Sequence, residues 1–122
     1  MKPVTVLVAD DDPTIRDGLM AILETQEDLL PIGEASDGLQ AVQMVRELRP
    51  DVVLMDVGMP GVDGIEATRR IKQESPETRV IVLTVYPTHL SEAFAAGASR
   101  YLLKDGSAKD LMQAIRDRGD RP

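Results

Sequence analysis

The sequence predicts an α/β domain in which five strands, each followed by a helix, form one parallel sheet covered on both faces. Three observations lead there. Short Val/Ile/Leu-rich runs alternate with amphipathic stretches of helical period along the whole chain. The runs are continuously apolar, as strands buried on both faces require. The stretches joining them are only a few residues long, so each strand returns parallel to the last through a helical crossover.

Val4–Ala9 reads as the first strand. Asp12-Pro13 starts a helix, with an acidic N-cap and proline at the first helical position. Ile15, Leu19, Ile22 and Leu23 then fall on one helical face. Leu29–Ala35 is a weaker strand, interrupted by Pro31 and Gly33, and belongs at the sheet edge. Leu39, Val42, Val45 and Leu48 stripe the second helix, and Pro50 lies just past its end. Val52–Asp56 is the third strand. A glycine-rich turn through Gly58, Gly61 and Gly64 leads into a helix over Ile65–Glu74 that stops before Pro76. Val80–Val85 forms the fourth strand and Leu90–Ala96 a short helix closed by Gly97. Arg100–Leu103 is the fifth strand. Ser107 and Asp110 give a start resembling a capping box for a last helix bearing Leu111, Met112, Ala114 and Ile115.

A chain of 122 residues, 43% hydrophobic and 29% charged, suits one soluble globular domain. Aromatic residues are confined to Tyr86, Phe94 and Tyr101, so the core must be aliphatic and a base-stacking surface is not expected. The net charge of −7 opposes contact with DNA or anionic membranes through this domain. Without cysteine there are no disulfides, thiolate metal sites or thiol nucleophiles. No apolar run approaches the ~20 residues that span a bilayer. The opening residues lack the apolar segment of a signal peptide, so the expected location is cytoplasmic.

The most informative feature is where the apolar runs stop. The first ends on Asp10-Asp11-Asp12 and the third on Asp56. In a parallel sheet ligands gather beyond the carboxyl ends of the strands, so these acids should converge on one crevice. Crowded carboxylates repel unless some take up protons or a cation joins them. Oxygen ligands alone favour a hard ion such as Mg2+. The fourth strand ends on Thr84 and the fifth runs into Lys104. Together these are the groups that move a phosphoryl group onto a carboxylate: a cation to offset charge, Asp56 to attack, and a hydroxyl and an ammonium to hold the phosphoryl oxygens.

Four segments carry a resemblance. They are Val8-Ala9-Asp10-Asp11-Asp12-Pro13, the run Met55 to Gly64, Val82-Leu83-Thr84, and Ala96 to Asp105. In this order they resemble the response regulator receiver domains of two-component signalling, across essentially the whole chain. The wording around Lys104, followed by Asp105, is similar to the NarL/FixJ-type subfamily. The resemblance implies a flavodoxin-like receiver fold with strand order 2-1-3-4-5. It implies that Asp56 accepts a phosphoryl group from a sensor histidine kinase. Asp11, Asp56 and the Gly58 carbonyl would bind Mg2+ directly and Asp10 largely through water. Thr84 and Lys104 would hold the phosphoryl oxygens, and Tyr101 would be the aromatic switch. Such a domain is no separate enzyme but catalyses its own phosphorylation and dephosphorylation. Its output would run through the fourth helix, fifth strand and fifth helix. That surface would govern a phosphorylation-dependent homodimer or a C-terminal DNA-binding domain lying outside this chain.

The receiver is expected over residues 1–118, with 119–122 as a tail or the start of a linker. The segment between Thr84 and Gly97 is about two residues shorter than the resemblance leads one to expect, which is the one feature favouring a domain that binds but no longer accepts phosphate. A phosphatase working through an aspartyl phosphate would carry an acid two residues after the nucleophile, where this chain has Gly58. Asp12 is expected to serve chiefly as an N-cap, and His89 to be a surface residue near the fourth helix. The isomer of the bond after Lys104 is left open by the sequence.

Overall fold

The computed structural model describes residues 2–86 and 88–117. Five strands, β1 (Val4–Ala9), β2 (Leu29–Ala35), β3 (Val52–Asp56), β4 (Arg79–Thr84) and β5 (Arg100–Leu103), alternate with α1 (Pro13–Glu24), α2 (Gly38–Leu48), α3 (Gly64–Glu74), α4 (Leu90–Ala96) and α5 (Ala108–Arg116). All strands pair in parallel in the order β2-β1-β3-β4-β5, the flavodoxin-like receiver fold. The chain order reverses between β1 and β3, and ligands of such sheets bind at that switch point.

Strand periodicity divides the core into two layers. Leu7, Val53, Met55, Val80 and Val82 point to the face covered by α2, α3 and α4. Val6, Val8, Val52, Leu54, Ile81 and Leu83 point to the other, with Leu23 of α1 and Leu111 and Ile115 of α5. The central strands β1, β3 and β4 are buried along nearly their whole length, which explains their unbroken apolar sequence.

The edge position of β2 is as expected. Its pairing with β1 shifts between Val6 and Leu7, opposite Pro31 and Gly33, so Ile32 is an extra residue absorbed by a bulge. The α2 stripe needs correction. Leu39 and Leu48 are 49% and 41% exposed, and the buried face is Gly38, Ala41, Val42 and Val45. Small residues let α2 approach the sheet and its neighbours closely, and a pattern built on large side chains misses them. β4 runs one residue earlier than its hydrophobicity suggests, leaving Val85 exposed in the following loop. α4 ends at Gly97, whose φ of 110° is left-handed and whose missing Cβ makes room for Lys72 of α3. No peptide bond among the described residues is cis, that after Lys104 included. The expected tail, 119–122, lies outside the described residues.

Candidate functional site

Every acid of the site stands where a strand ends. Asp10 follows β1, and its N–H still donates to the Ala35 carbonyl of β2 at 3.0 Å. Its side chain is fully buried, with Oδ1 accepting from the Asp12 N–H at 2.9 Å. Asp12 is not part of the acid cluster. It caps α1, accepting from the Thr14 N–H at 2.9 Å, as its place before Pro13 requires. Asp11, exposed, turns back toward the crevice, and oxygens of Asp10, Asp11 and Asp56 all lie within 4.8 Å of one another.

Asp56 is the last residue of β3 and 5% exposed. The chain behind it folds tightly: the Gly64 N–H donates to the Val57 carbonyl at 3.0 Å. A Cβ on Gly64 would lie 2.0 Å from the Asp56 carbonyl oxygen, so only glycine lets α3 start against the end of β3. The Gly58 N–H lies 3.3 Å from Asp56 Oδ1 and donates to it.

Lys104 closes the crevice from the end of β5. Its Nζ lies 2.8 Å from Asp10 Oδ2 and 3.0 Å from Asp56 Oδ1, with the side chain 14% exposed. The contact with Asp10 Oδ2 is ionic without hydrogen-bond alignment, so that buried oxygen has no directed donor. Burial pushes the Asp56 carboxyl above its ordinary range, the nearby Asp10 charge adds to this, and the hydrogen bond from Lys104 opposes it. For Lys104, burial alone would lower the ammonium. Its close contacts with the Asp10 and Asp56 carboxylates outweigh that and raise it.

Thr84 ends β4, is buried, and accepts from the Tyr86 N–H through Oγ1 at 3.2 Å. The Lys104 N–H donates to the Thr84 carbonyl at 2.8 Å, tying the two strand ends together. The Tyr101 hydroxyl donates to the Tyr86 carbonyl at 2.7 Å and accepts from the His89 N–H at 3.0 Å. Thr84, the Tyr86 backbone, Tyr101 and the first residue before α4 thus form one hydrogen-bonded chain. His89 itself is a surface residue at the start of α4, 3.4 Å from Glu92.

The structure therefore brings Asp10, Asp11, Asp56 and Lys104 together and places Gly58 and Thr84 beside them, with Tyr101 linked through the loop. An all-oxygen donor set, one buried carboxylate oxygen without a directed donor and a carboxyl raised by burial fit a hard divalent cation. The sequence reading overlooks the Tyr86 backbone, which joins Thr84 to Tyr101, and Arg16, whose Nη1 donates to the Asp10 carbonyl at 2.7 Å. A signal for Arg16 was present: a cation at the end of a helix's first turn opposes the helix dipole and calls for a partner.

A domain with this sheet and this acidic crevice belongs to a defined class, and direct comparison agrees. Residues 6–116 match the family model for the response regulator receiver domain, and the chain belongs to that family. It is 47% identical over 120 residues to the transcriptional regulatory protein LiaR of Bacillus subtilis, covering 93% of this chain and 54% of the relative. It is 42% identical over 118 residues to the response regulator GacA of Pseudomonas aeruginosa, covering 93% of this chain and 54% of that protein. Among solved structures, the signal receiver domain of a NarL response regulator from Mycobacterium tuberculosis aligns with a TM-score of 0.92 at 31% identity, each chain covered in full. The chain spans about half the length of the curated relatives it matches. Among the described residues, no helix is long and apolar enough to cross a membrane.

Proposed function

We propose that this receiver domain takes a phosphoryl group from a sensor histidine kinase onto Asp56 and passes the change to the surface of α4, β5 and α5. The observation that carries the reading is a buried, burial-raised carboxyl at the end of β3, facing two further acids and a single ammonium. Asp11, Asp56 and the Gly58 carbonyl would hold Mg2+, with Asp10 acting through water. The bound cation would supply charge neutralisation and orientation for the incoming phosphoryl oxygens.

Asp56 acts as the nucleophile. A bond forms between its carboxylate oxygen and phosphorus while the donor's phosphorus–nitrogen bond breaks, its electron pair leaving with the imidazole. Lys104, a point charge already 3.0 Å from Asp56, shifts to a phosphoryl oxygen. The Thr84 hydroxyl turns to another and loosens its hold on the Tyr86 N–H. Tyr86 also takes the Tyr101 hydroxyl, so movement of its peptide frees Tyr101 to swing inward and releases the start of α4. Val85, Tyr86, Leu90, Phe94 and Leu103 are large, apolar and exposed on that loop, α4 and the end of β5, which supports an interaction surface there. Its use would be a phosphorylation-dependent homodimer or control of a DNA-binding output domain, in keeping with relatives about twice as long that are transcriptional regulators. The domain's own hydrolysis of the acyl phosphate would end the signal.

The test is intact-mass spectrometry after incubation with acetyl phosphate and Mg2+. One phosphoryl addition is expected, absent from Asp56→Asn and from a metal-free control. Absence of addition in the wild type, with no spectroscopic response to beryllofluoride, would mean a domain that binds partners without accepting phosphate.

A further inference from the structure

We infer that Arg16 is a positioning residue of the cation site, clamping the Asp10 carbonyl and thereby aiming the Asp11 carboxylate. The inference rests on the reading of Asp11 and Asp56 as cation ligands. Arg16 Nη1 donates to the Asp10 carbonyl at 2.7 Å, while its Nε donates to Glu34 Oε1 of β2 at 3.1 Å. One guanidinium so joins the first turn of α1, the end of β1 and the end of β2.

The clamp matters because of what is missing around Asp11. The last residue of β1 in register with its neighbours is Ala9, paired to Ala35 and Met55. The Asp10 carbonyl thus lies beyond the ladder, and Arg16 is its partner. No hydrogen bond or ion pair among the described residues holds the exposed Asp11 side chain, so only the backbone fixes the point from which its carboxylate reaches, and the peptide joining Asp10 to Asp11 sets that point. Rotation of that peptide would swing the Asp11 oxygens away from those of Asp10 and Asp56, now within 4.8 Å. The arrangement suits Arg specifically. Its forked, planar head presents Nη1 to the carbonyl and Nε to the carboxylate in one fixed plane, whereas a lysine would bring a single nitrogen to both. Glu34 is the more exposed partner, at 40% against 19% for Arg16, and serves to aim the guanidinium.

The test uses the Mg2+ dependence of the thermal midpoint, read without any phosphodonor so that binding alone is measured. Wild type, Arg16→Ala, Arg16→Lys and Glu34→Gln are titrated side by side, each also measured without metal. Arg16→Ala is expected to need about tenfold more Mg2+ for the same rise, the usual scale for losing a group that orients a metal ligand. Arg16→Lys should recover part of that, and Glu34→Gln should show a smaller shift of the same sign. Variants with a lower metal-free midpoint but wild-type Mg2+ titrations would overturn the inference, leaving Arg16 as a brace only. A wild-type chain that ignores Mg2+ would instead overturn the cation reading itself, and this inference with it.

Discussion

Strand β3 is preceded by one aspartate and ends on another, and the two are held in opposite ways. Asp51 Oδ2 accepts from both the N–H and the hydroxyl of Thr5, at 2.9 and 3.1 Å, and the Asp51 N–H donates back to Thr5 Oγ1 at 2.8 Å. Asp56, at the other end of the strand, is buried against Asp10 and shares one ammonium with it. The contrast extends to the whole sheet. At its amino end Arg116 grips Asp28, the Arg79 guanidinium donates to the Asp117 carbonyl at 2.6 Å, and Arg100 pairs with the Asp117 carboxylate. At its carboxyl end acids face acids. One end of the same strands is built from satisfied pairs, and the other keeps an unresolved repulsion that a cation or a phosphoryl group can use.

The sharpest way to break the comparison is at Gly64. A methyl there would sit 2.0 Å from the Asp56 carbonyl oxygen and 2.8 Å from its carbon, both backbone atoms with nowhere to move. Gly64→Ala should cost about 3 kcal/mol or more in urea denaturation. Gly18→Ala is the control, since nothing lies within 4 Å of its would-be Cβ within α1. It should gain up to about 1 kcal/mol from helix propensity.

Lys104→Met removes the cation shared by two buried carboxylates, and a loss of about 2 kcal/mol at neutral pH is expected. The sign with pH is diagnostic. Without Lys104 the Asp56 carboxyl, already raised, rises further. The cost of ionising it is then full above its folded pKa and disappears as pH falls toward the ordinary carboxylate value, so the mutant should recover on mild acidification. Asp51→Ala, at the other end, should lose about 1 kcal/mol through Thr5. A Lys104→Met loss that does not lessen on mild acidification would erase the distinction.

Much of this contrast was legible in the sequence, and unevenly. Acid at the ends of the first and third apolar runs located the crevice, because strand length and direction follow from hydrophobic pattern alone. Asp12-Pro13 and Ser107 located helix starts through capping chemistry that needs no tertiary contact. What escaped depends on neighbours distant in the chain. Leu39 and Leu48 look like core by period, yet α2 lies close through Gly38 and Ala41, whose smallness gives no hydropathic signal. The satisfied amino end was invisible for the same reason: Thr5 and Asp51, or Asp28 and Arg116, are ordinary polar residues until the sheet brings them together. Arg16 shows no sign of its partners Asp10 and Glu34 except its awkward place in a first helical turn.

A gentler perturbation reverses the sign. Asp56→Asn removes a carboxylate that is disfavoured in its ionised form, so in metal-free buffer at neutral pH the variant should be more stable than wild type. Burial raises the folded pKa above the unfolded one, so the penalty in wild type is lost as pH falls between them, and the variant's advantage should shrink over the same window. Thermal melts across mildly acidic to neutral pH would measure it. A variant less stable than wild type throughout would mean that the Lys104 pairing outweighs the burial.

The smallest effect belongs to the amino end's most conspicuous ion pair. Arg116 Nε and Nη2 reach Asp28 at 2.7 and 2.9 Å, and the bond from Arg116 holds the Asp28 carboxyl below its ordinary range. A carboxyl lowered in the folded state adds stability above its unfolded pKa and loses it as pH falls through the folded one. Asp28 is exposed, however, so water and salt screen nearly all of that. Arg116→Ala should therefore shift the urea midpoint less than Asp51→Ala, and the shift should fade in high salt while that of Asp51→Ala persists. A larger, salt-sensitive loss at Arg116 would mean that the amino end is held by net charge. The expected result would locate its strength in directed bonds such as those between Thr5 and Asp51, which is what separates it from the carboxyl end, where one ammonium faces three carboxylates.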